Sequence, residues 1–190
     1  CYQDARFMIV GTPSGVTLAP EGGAHQSIGA QLIGMSQDGL VSFEPAYLDE
    51  LSIIMDWSFD YLQRSGENDP DERTWLRDET GGSVYLRLTT RPLEQLGVKA
   101  RDDADFEAAG RIGNDRRDIG VLAITSADRL NSGWTAARRA RARGHRDATS
   151  QIERLMADVP RDATLITVTD GHPATLAWIG SVMGHQTAPL

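Results

Sequence analysis

The sequence predicts an α/β protein with mostly parallel sheets. Three observations lead there. Short apolar or β-branched runs alternate with longer helical patterns: Phe7-Met8-Ile9-Val10, Leu40-Val41-Ser42-Phe43, Ser83 to Thr89, Ile119 to Thr125 and Ala163 to Thr169. Strands that alternate with helices build parallel sheets through crossover connections. A loop rich in glycine and proline, residues 11–26, leaves the first run. Open α/β sheets place ligand sites on such loops. Finally, 190 residues with 40% hydrophobic and 24% charged residues are enough to bury a proper core.

Residues 7–10 read as a buried strand, and Ala30 to Met35 is weakly apolar and undecided. Leu40 to Phe43 reads as a second strand. Pro45 then opens a helix over about 46–64, since proline suits the first helical position. Its apolar stripe (Tyr47, Leu51, Ile54, Tyr61, Leu62) is widened by Ile53, Met55 and Trp57, so the helix is expected to pack on two sides. Residues 65–82 read as a polar, acidic loop with Trp75 and Leu76 as a contact point. Ser83 to Thr89 alternates as a third strand. A charged segment follows, with a short helix at 105–110.

In the second half, Ile119 to Thr125 is a strand and Ser126 caps a helix to about Gly144. Asp128 sits in its first turn, where the helix dipole favours an acid. A helix over 148–157, a strand over 163–169, a helix over 173–183 and a strand over 186–190 complete the series. Trp134 and Trp178 read as core, and His145 and His185 as surface residues.

Composition excludes several classes. The net charge is −8; residues 1–100 carry 15 acids and 7 bases, and residues 101–190 carry 12 of each. Such a chain is repelled by a phosphate backbone, so no nucleic acid is expected. No apolar run reaches the ~20 residues that span a bilayer, so no membrane is expected either. Cys1 is the only cysteine, which leaves no internal disulfide and fits a cytoplasmic location. Gly11-Thr12-Pro13-Ser14-Gly15 is not a phosphate loop, because no Gly-Lys-Ser/Thr follows. No histidine–carboxylate pair stands at ligand spacing within an expected helix, so no protein-built zinc site is expected. His172 in Asp-Gly-His-Pro reads as a helix-initiating turn. Arg138, Arg139, Arg141, Arg143 and Arg146 suit a helix C-terminus and a solvated face, or the docking of an acidic partner.

Within the glycine-rich loop, Glu21 and His25 lie four apart, so one can accept a proton and the other donate one. Pro20-Glu21-Gly22-Gly23-Ala24-His25-Gln26 resembles the acidic-Gly-x-x-His-Gln loop of transketolases and related thiamine diphosphate enzymes. Phe43-Glu44-Pro45-Ala46-Tyr47 with Asp49-Glu50 resembles the strand, turn and helix that come next in that family. Val84 to Leu88 with Thr90-Arg91 looks like the final strand of its pyrimidine-binding domain. Val121 to Asp128 and Thr169 to Pro173 look like its C-terminal domain. Together the matches are most similar to the homodimeric type of pyruvate dehydrogenase decarboxylating component.

The resemblance implies part of a transketolase-type pyrimidine-binding domain over 1–97, a linker over 98–118 and a truncated transketolase-type C-terminal α/β domain over 119–190. It implies oxidative decarboxylation of a 2-oxo acid, pyruvate or 2-oxobutyrate, with acyl transfer to lipoamide. Transketolase-type ketol transfer and a non-catalytic interaction module of the same descent are the alternatives. Thiamine diphosphate and Mg²⁺ are the implied cofactors. His25 falls on the active-site histidine, while Glu21, Gln26 and Arg91 fall on substrate-binding positions. Arg91, before Pro92, also reads as a simple strand end. The upstream cofactor-binding domain, the first half of the pyrimidine-binding domain and the first strand of the C-terminal domain have no match here. The chain is therefore expected to be part of a longer or split enzyme, inactive alone. The implied partners are a second copy or the missing N-terminal portion, and a lipoyl-bearing acyltransferase.

Overall fold

A computed structural model describes residues 5–15, 28–37, 39–67, 77–92, 94, 109–112 (backbone only) and 120–190. Among the described residues the elements follow in this order: β1 (Met8–Gly11), α1 (Ala30–Ser36), β2 (Leu40–Phe43), α2 (Leu48–Gln63), β3 (Ser83–Arg87), β4 (Ala109–Ile112), β5 (Val121–Ile124), α3 (Ala127–Ala142), α4 (Gln151–Met156), β6 (Thr164–Thr167), α5 (Ala174–Ala177), α6 (Gly180–Met183) and β7 (Gln186–Pro189). The chain is α/β with mostly parallel strands. β1, β3 and β2 form a parallel sheet in that order, with Met8 opposite Val84 and Val41 opposite Val84 on its other side. β6 and β7 pair in parallel. β4 and β5 pair antiparallel, which places a strand inside the segment expected as a linker.

Strand periodicity decides the two faces of the first sheet. Val41, Phe43, Val84 and Leu86 point to one side and are buried with Ile54 and Tyr61 of α2. Phe43 meets Trp57 edge-on at 5.4 Å, and Trp57 stacks on Tyr61 at 4.6 Å. On the other side α1 approaches so closely that a Cβ at Gly34 would overlap the Ser42 hydroxyl. Among the described residues α2 is covered mainly on its sheet side, and Leu48 and Phe59 are exposed. It also starts later than Pro45, at Leu48, because the Glu50 carboxylate accepts the N–H groups of Ala46 and Tyr47 and closes the helix start there.

The second half packs Leu130, Trp134, Ile152, Met156 and Ile179 into its own core. Trp134 is buried and stacks with half-buried Trp178 at 5.7 Å. Ser150 and Glu153 cap α4 reciprocally, and Arg141 of α3 holds the same Glu153 at 2.7 Å. The arginine cluster is thus partly internal, while Arg143 and Arg146 stay exposed. The helix expected over 173–183 is two short turns, α5 and α6. Bonds of the i to i−3 kind, Ile179 N–H to Leu176 O and Ser181 N–H to Trp178 O, tighten the chain between them. His185, expected on the surface, is 8% exposed.

The two halves meet along the outer edge of β2. Asp128 accepts the Ser42 N–H at 2.8 Å, Ser126 donates to Ser42 O at 2.7 Å, and Glu44 N–H donates to Thr125 O at 2.8 Å. A strand edge left bare is a liability, and here the start of α3 covers it. Ser126 is the N-cap residue of α3, yet its hydroxyl serves Ser42 and Asp128 and makes no cap bond. Arg129, one residue further, lies 4.7 Å from the Trp57 ring and 3.0 Å from Asp78. At the opposite side of the sheet, Ile9 and Val10 of β1 are exposed. Among the described residues no helix is long and apolar enough to cross a membrane.

Candidate functional site

Parallel strands end together, and here the carboxyl ends of β1, β2 and β3 bring Ser14, Glu44 and Arg87 to one place. Strand alternation sends Arg87, with Ser83 and Tyr85, to the face opposite Val84 and Leu86. Arg87 is almost fully buried there. Its guanidinium donates to the Tyr85 hydroxyl at 2.6 Å and to the Pro13 carbonyl, and its Nε lies 3.6 Å from Glu44 Oε1. That last distance is too long for a hydrogen bond, so the pair is purely coulombic.

Glu44 follows β2 directly. Its Oε1 accepts the Ser14 hydroxyl at 2.5 Å and the Gln31 amide at 3.3 Å. Burial pushes the carboxyl above the usual range and outweighs the opposing pull of Ser14, Arg87 and Gln31; nearby Asp170 raises it further. Glu44 therefore holds a proton more readily than an exposed glutamate.

The loop expected to carry the chemistry begins and ends against this cluster. Ser14 N–H donates to Leu88 O, and Leu88 N–H to Gly11 O. Gly15 has φ +61 and presses on Asp170, a position where any side chain would collide. At the other end of the loop, Ile28 O accepts the His172 N–H at 2.8 Å. Gln31 Nε2 reaches Asp170 O at 3.4 Å. His172 itself makes a turn, its Nδ1 accepting the Ala174 N–H at 3.1 Å.

His25, Glu21 and Gln26 lie outside the described residues. Arg91 is exposed beyond β3, its N–H bonded to the Thr89 hydroxyl, and it is not among the residues gathered around Glu44. Sequence reasoning missed Glu44, Gln31 and Arg87. A signal existed for two of them: each is a charged residue at the end of an otherwise buried strand. Gln31 sits in a segment too short and weakly apolar to be read.

Behind the cluster, between the halves, a cleft of about 1070 Å³ opens. Its walls are apolar (Leu122, Ile124, Leu155, Leu165, Leu176 and Ile179), and its head carries Gln31, Glu44, Arg87, Thr167 and Thr175. No family model matches this chain, and neither does any curated protein. Among the described residues no group of three His, Cys, Asp or Glu could hold a metal ion.

Asp128 lines the cleft and is almost fully buried. Desolvation raises its carboxyl, against hydrogen bonds from the Ser126 hydroxyl and the Ser42 N–H. Its role in the geometry is to join the halves: Oδ2 accepts the Ser42 N–H at the edge of β2, and Oδ1 accepts from Ser126, whose hydroxyl also lies against Ser42 O.

Proposed function

We propose that this chain is the substrate-facing part of a thiamine diphosphate-dependent 2-oxo acid dehydrogenase decarboxylating component, acting on pyruvate or 2-oxobutyrate and passing the acyl group to lipoamide. The reading starts from the ordered series of motif resemblances. One structural observation supports it most: both ends of the loop bearing Glu21, His25 and Gln26 are tied at the carboxyl edge of a parallel sheet, where open α/β folds bind ligands. A 2-oxo acid brings a carboxylate and a polarisable carbonyl. The carboxylate calls for a cation, the role proposed for Arg91. The carbonyl oxygen gains charge during reaction, and a histidine such as His25 can donate to it or move its proton.

The cofactor would supply the carbanion-stabilising chemistry, and its metal and diphosphate would be held by residues other than those described. A second copy or further chain is also expected over β1, whose Ile9 and Val10 are open to solvent. The arginines late in α3 remain the proposed docking place for a lipoyl-bearing acyltransferase.

The test is His25→Ala in the complete enzyme, assayed with pyruvate and with 2-oxobutyrate. Turnover is expected to fall by roughly 100-fold or more, the usual yield of a positioned acid–base group. Undiminished turnover with both substrates would remove His25 from the mechanism. Activity on ketose phosphates in place of 2-oxo acids would turn the reading to ketol transfer.

A further inference from the structure

One carboxylate oxygen serves both ends of the glycine-rich loop. Glu44 Oε1 accepts the Ser14 hydroxyl at 2.5 Å on the entry side and the Gln31 amide at 3.3 Å on the exit side. Residues 16–27, with Glu21, His25 and Gln26, run between these ends in the chain. The Ser14 bond has the short length of a charge-assisted contact, the stronger kind.

Further contacts fix the same ends. On the entry side, Arg87 is 4% exposed, donates to the Pro13 carbonyl and stands with its Nε 3.6 Å from Glu44 Oε1. Ser14 N–H donates to Leu88 O, just beyond β3. On the exit side the support comes from the second half of the chain. Gln31 Nε2 also reaches Asp170 O at 3.4 Å, and the His172 N–H donates to Ile28 O at 2.8 Å. Gly15 presses on Asp170 as well, so the turn at 170–172 touches entry and exit alike. The contacts close a ring that passes from Pro13 through Arg87, Glu44, Gln31 and Asp170 to Gly15. A reacting group misplaced by about 1 Å can lose roughly 100-fold in rate, so a group carried on a loop depends on how the ends are held.

We propose that Glu44 is a positioning residue: through Ser14 and Gln31 it fixes the separation of the two loop ends, and so sets where His25 stands. This deepens the proposed function and rests on its reading of His25 as the acid–base group. Glu44 acts through the loop, with its Oε1 engaged at both ends.

Amide exchange of the full 190-residue chain, followed by NMR, tests the clamp without cofactor or substrate. Glu44→Ala should speed exchange of the Ser14 and His172 N–H groups, one at each end, by roughly tenfold or more, while interior α2 amides keep their parent rates. Ser14→Ala removes one bond at the entry and should still speed His172 at the exit. Glu44→Gln keeps an oxygen for Ser14 and Gln31 and should stay close to the parent. Turnover of pyruvate by the complete enzyme tests the consequence. Glu44→Ala should lower kcat roughly 10- to 100-fold with KM within about threefold, and Glu44→Gln should recover most of that loss. Unchanged Ser14 and His172 exchange in both alanine variants would overturn the clamp. Equal acceleration throughout α2 would show general loosening alone, and would overturn it too. Altered exchange with undiminished kcat would remove the positioning role. A complete parent enzyme inactive on 2-oxo acids would end the thiamine reading, while the exchange rates would still decide the clamp.

Discussion

Asp128 shows how burial and hydrogen bonding compete at a single residue. Its carboxyl accepts from the Ser126 hydroxyl and the Ser42 and Arg129 N–H groups, which favours the charged form, yet loss of water dominates and the group sits above its ordinary value of 3.8. The folded state then binds a proton that the unfolded state has already released. Stability must fall as pH rises from about 4 through the raised value, because the unfolded state binds fewer protons there. Asp128→Asn keeps an oxygen for the Ser42 N–H and cannot ionise. Urea denaturation at pH 4 and pH 7 should show the variant gaining relative to the parent protein at pH 7. Parallel profiles would mean that Asp128 does not titrate differently on folding. Glu44 contributes a slope of the same sign, which the variant retains. Glu153 behaves in the opposite way. Burial pushes it up, but Arg141 and the Ser150 groups outweigh burial and hold it below the usual range. Its share of stability is therefore present above about pH 4 and lost as pH falls through the depressed value.

At the scale of elements, close approach overrides propensity. Replacing an interior helical glycine by alanine ordinarily stabilises by about 1 kcal/mol. Gly34 of α1 should do the reverse, because a Cβ there would overlap Ser42 of β2. Gly34→Ala is expected to cost about 1–3 kcal/mol through overpacking. Adding Ser42→Gly should recover much of that loss, since it clears the space that the new methyl needs. A urea midpoint that rises in the single variant would show that α1 does not press on β2. The start of α4 depends on Glu153 in a similar way. Glu153→Ala removes the reciprocal cap with Ser150 and the ion pair with Arg141, and should cost about 1–2 kcal/mol by thermal or chemical denaturation.

Across the whole molecule, the free edge of β2 decides whether the halves behave as one body. The hydrogen bonds of Thr125, Ser126 and Asp128 to Ser42 and Glu44 join them, and Arg129 reaches Trp57 and Asp78 beside them. One cooperative unfolding transition is expected, reported alike by Trp57 in the first half and Trp134 in the second when each is the sole tryptophan. The double variant Ser126→Ala, Asp128→Ala leaves the Ser42 N–H and carbonyl without partners, at about 1–3 kcal/mol each. The two tryptophan signals should then separate. Coincident transitions in that variant would place the coupling elsewhere.

The amino-acid sequence by itself determined the order of the elements. Val41 and Phe43 alternate with Ser42, Val84 and Leu86 alternate with Tyr85 and Arg87, and Gly144 stops α3 where the chain turns to φ +105. Those are local effects, fixed by side-chain period and backbone sterics, and they are legible without a fold. The seven residues of α1 were too few to read, the turn between α5 and α6 carries no breaker residue, and β4 lies where a linker with a short helix at 105–110 was expected, so all three escaped. The site was legible only as a loop. Ser14, Gln31, Glu44, Arg87 and Asp170 are spread over most of the chain, and no spacing rule connects them. Parallel pairing of β1, β3 and β2, and the seating of the second half on β2, bring them together. Desolvation of Glu44 exists only once that packing excludes water, so the tertiary structure alone decided the chemistry of the cluster.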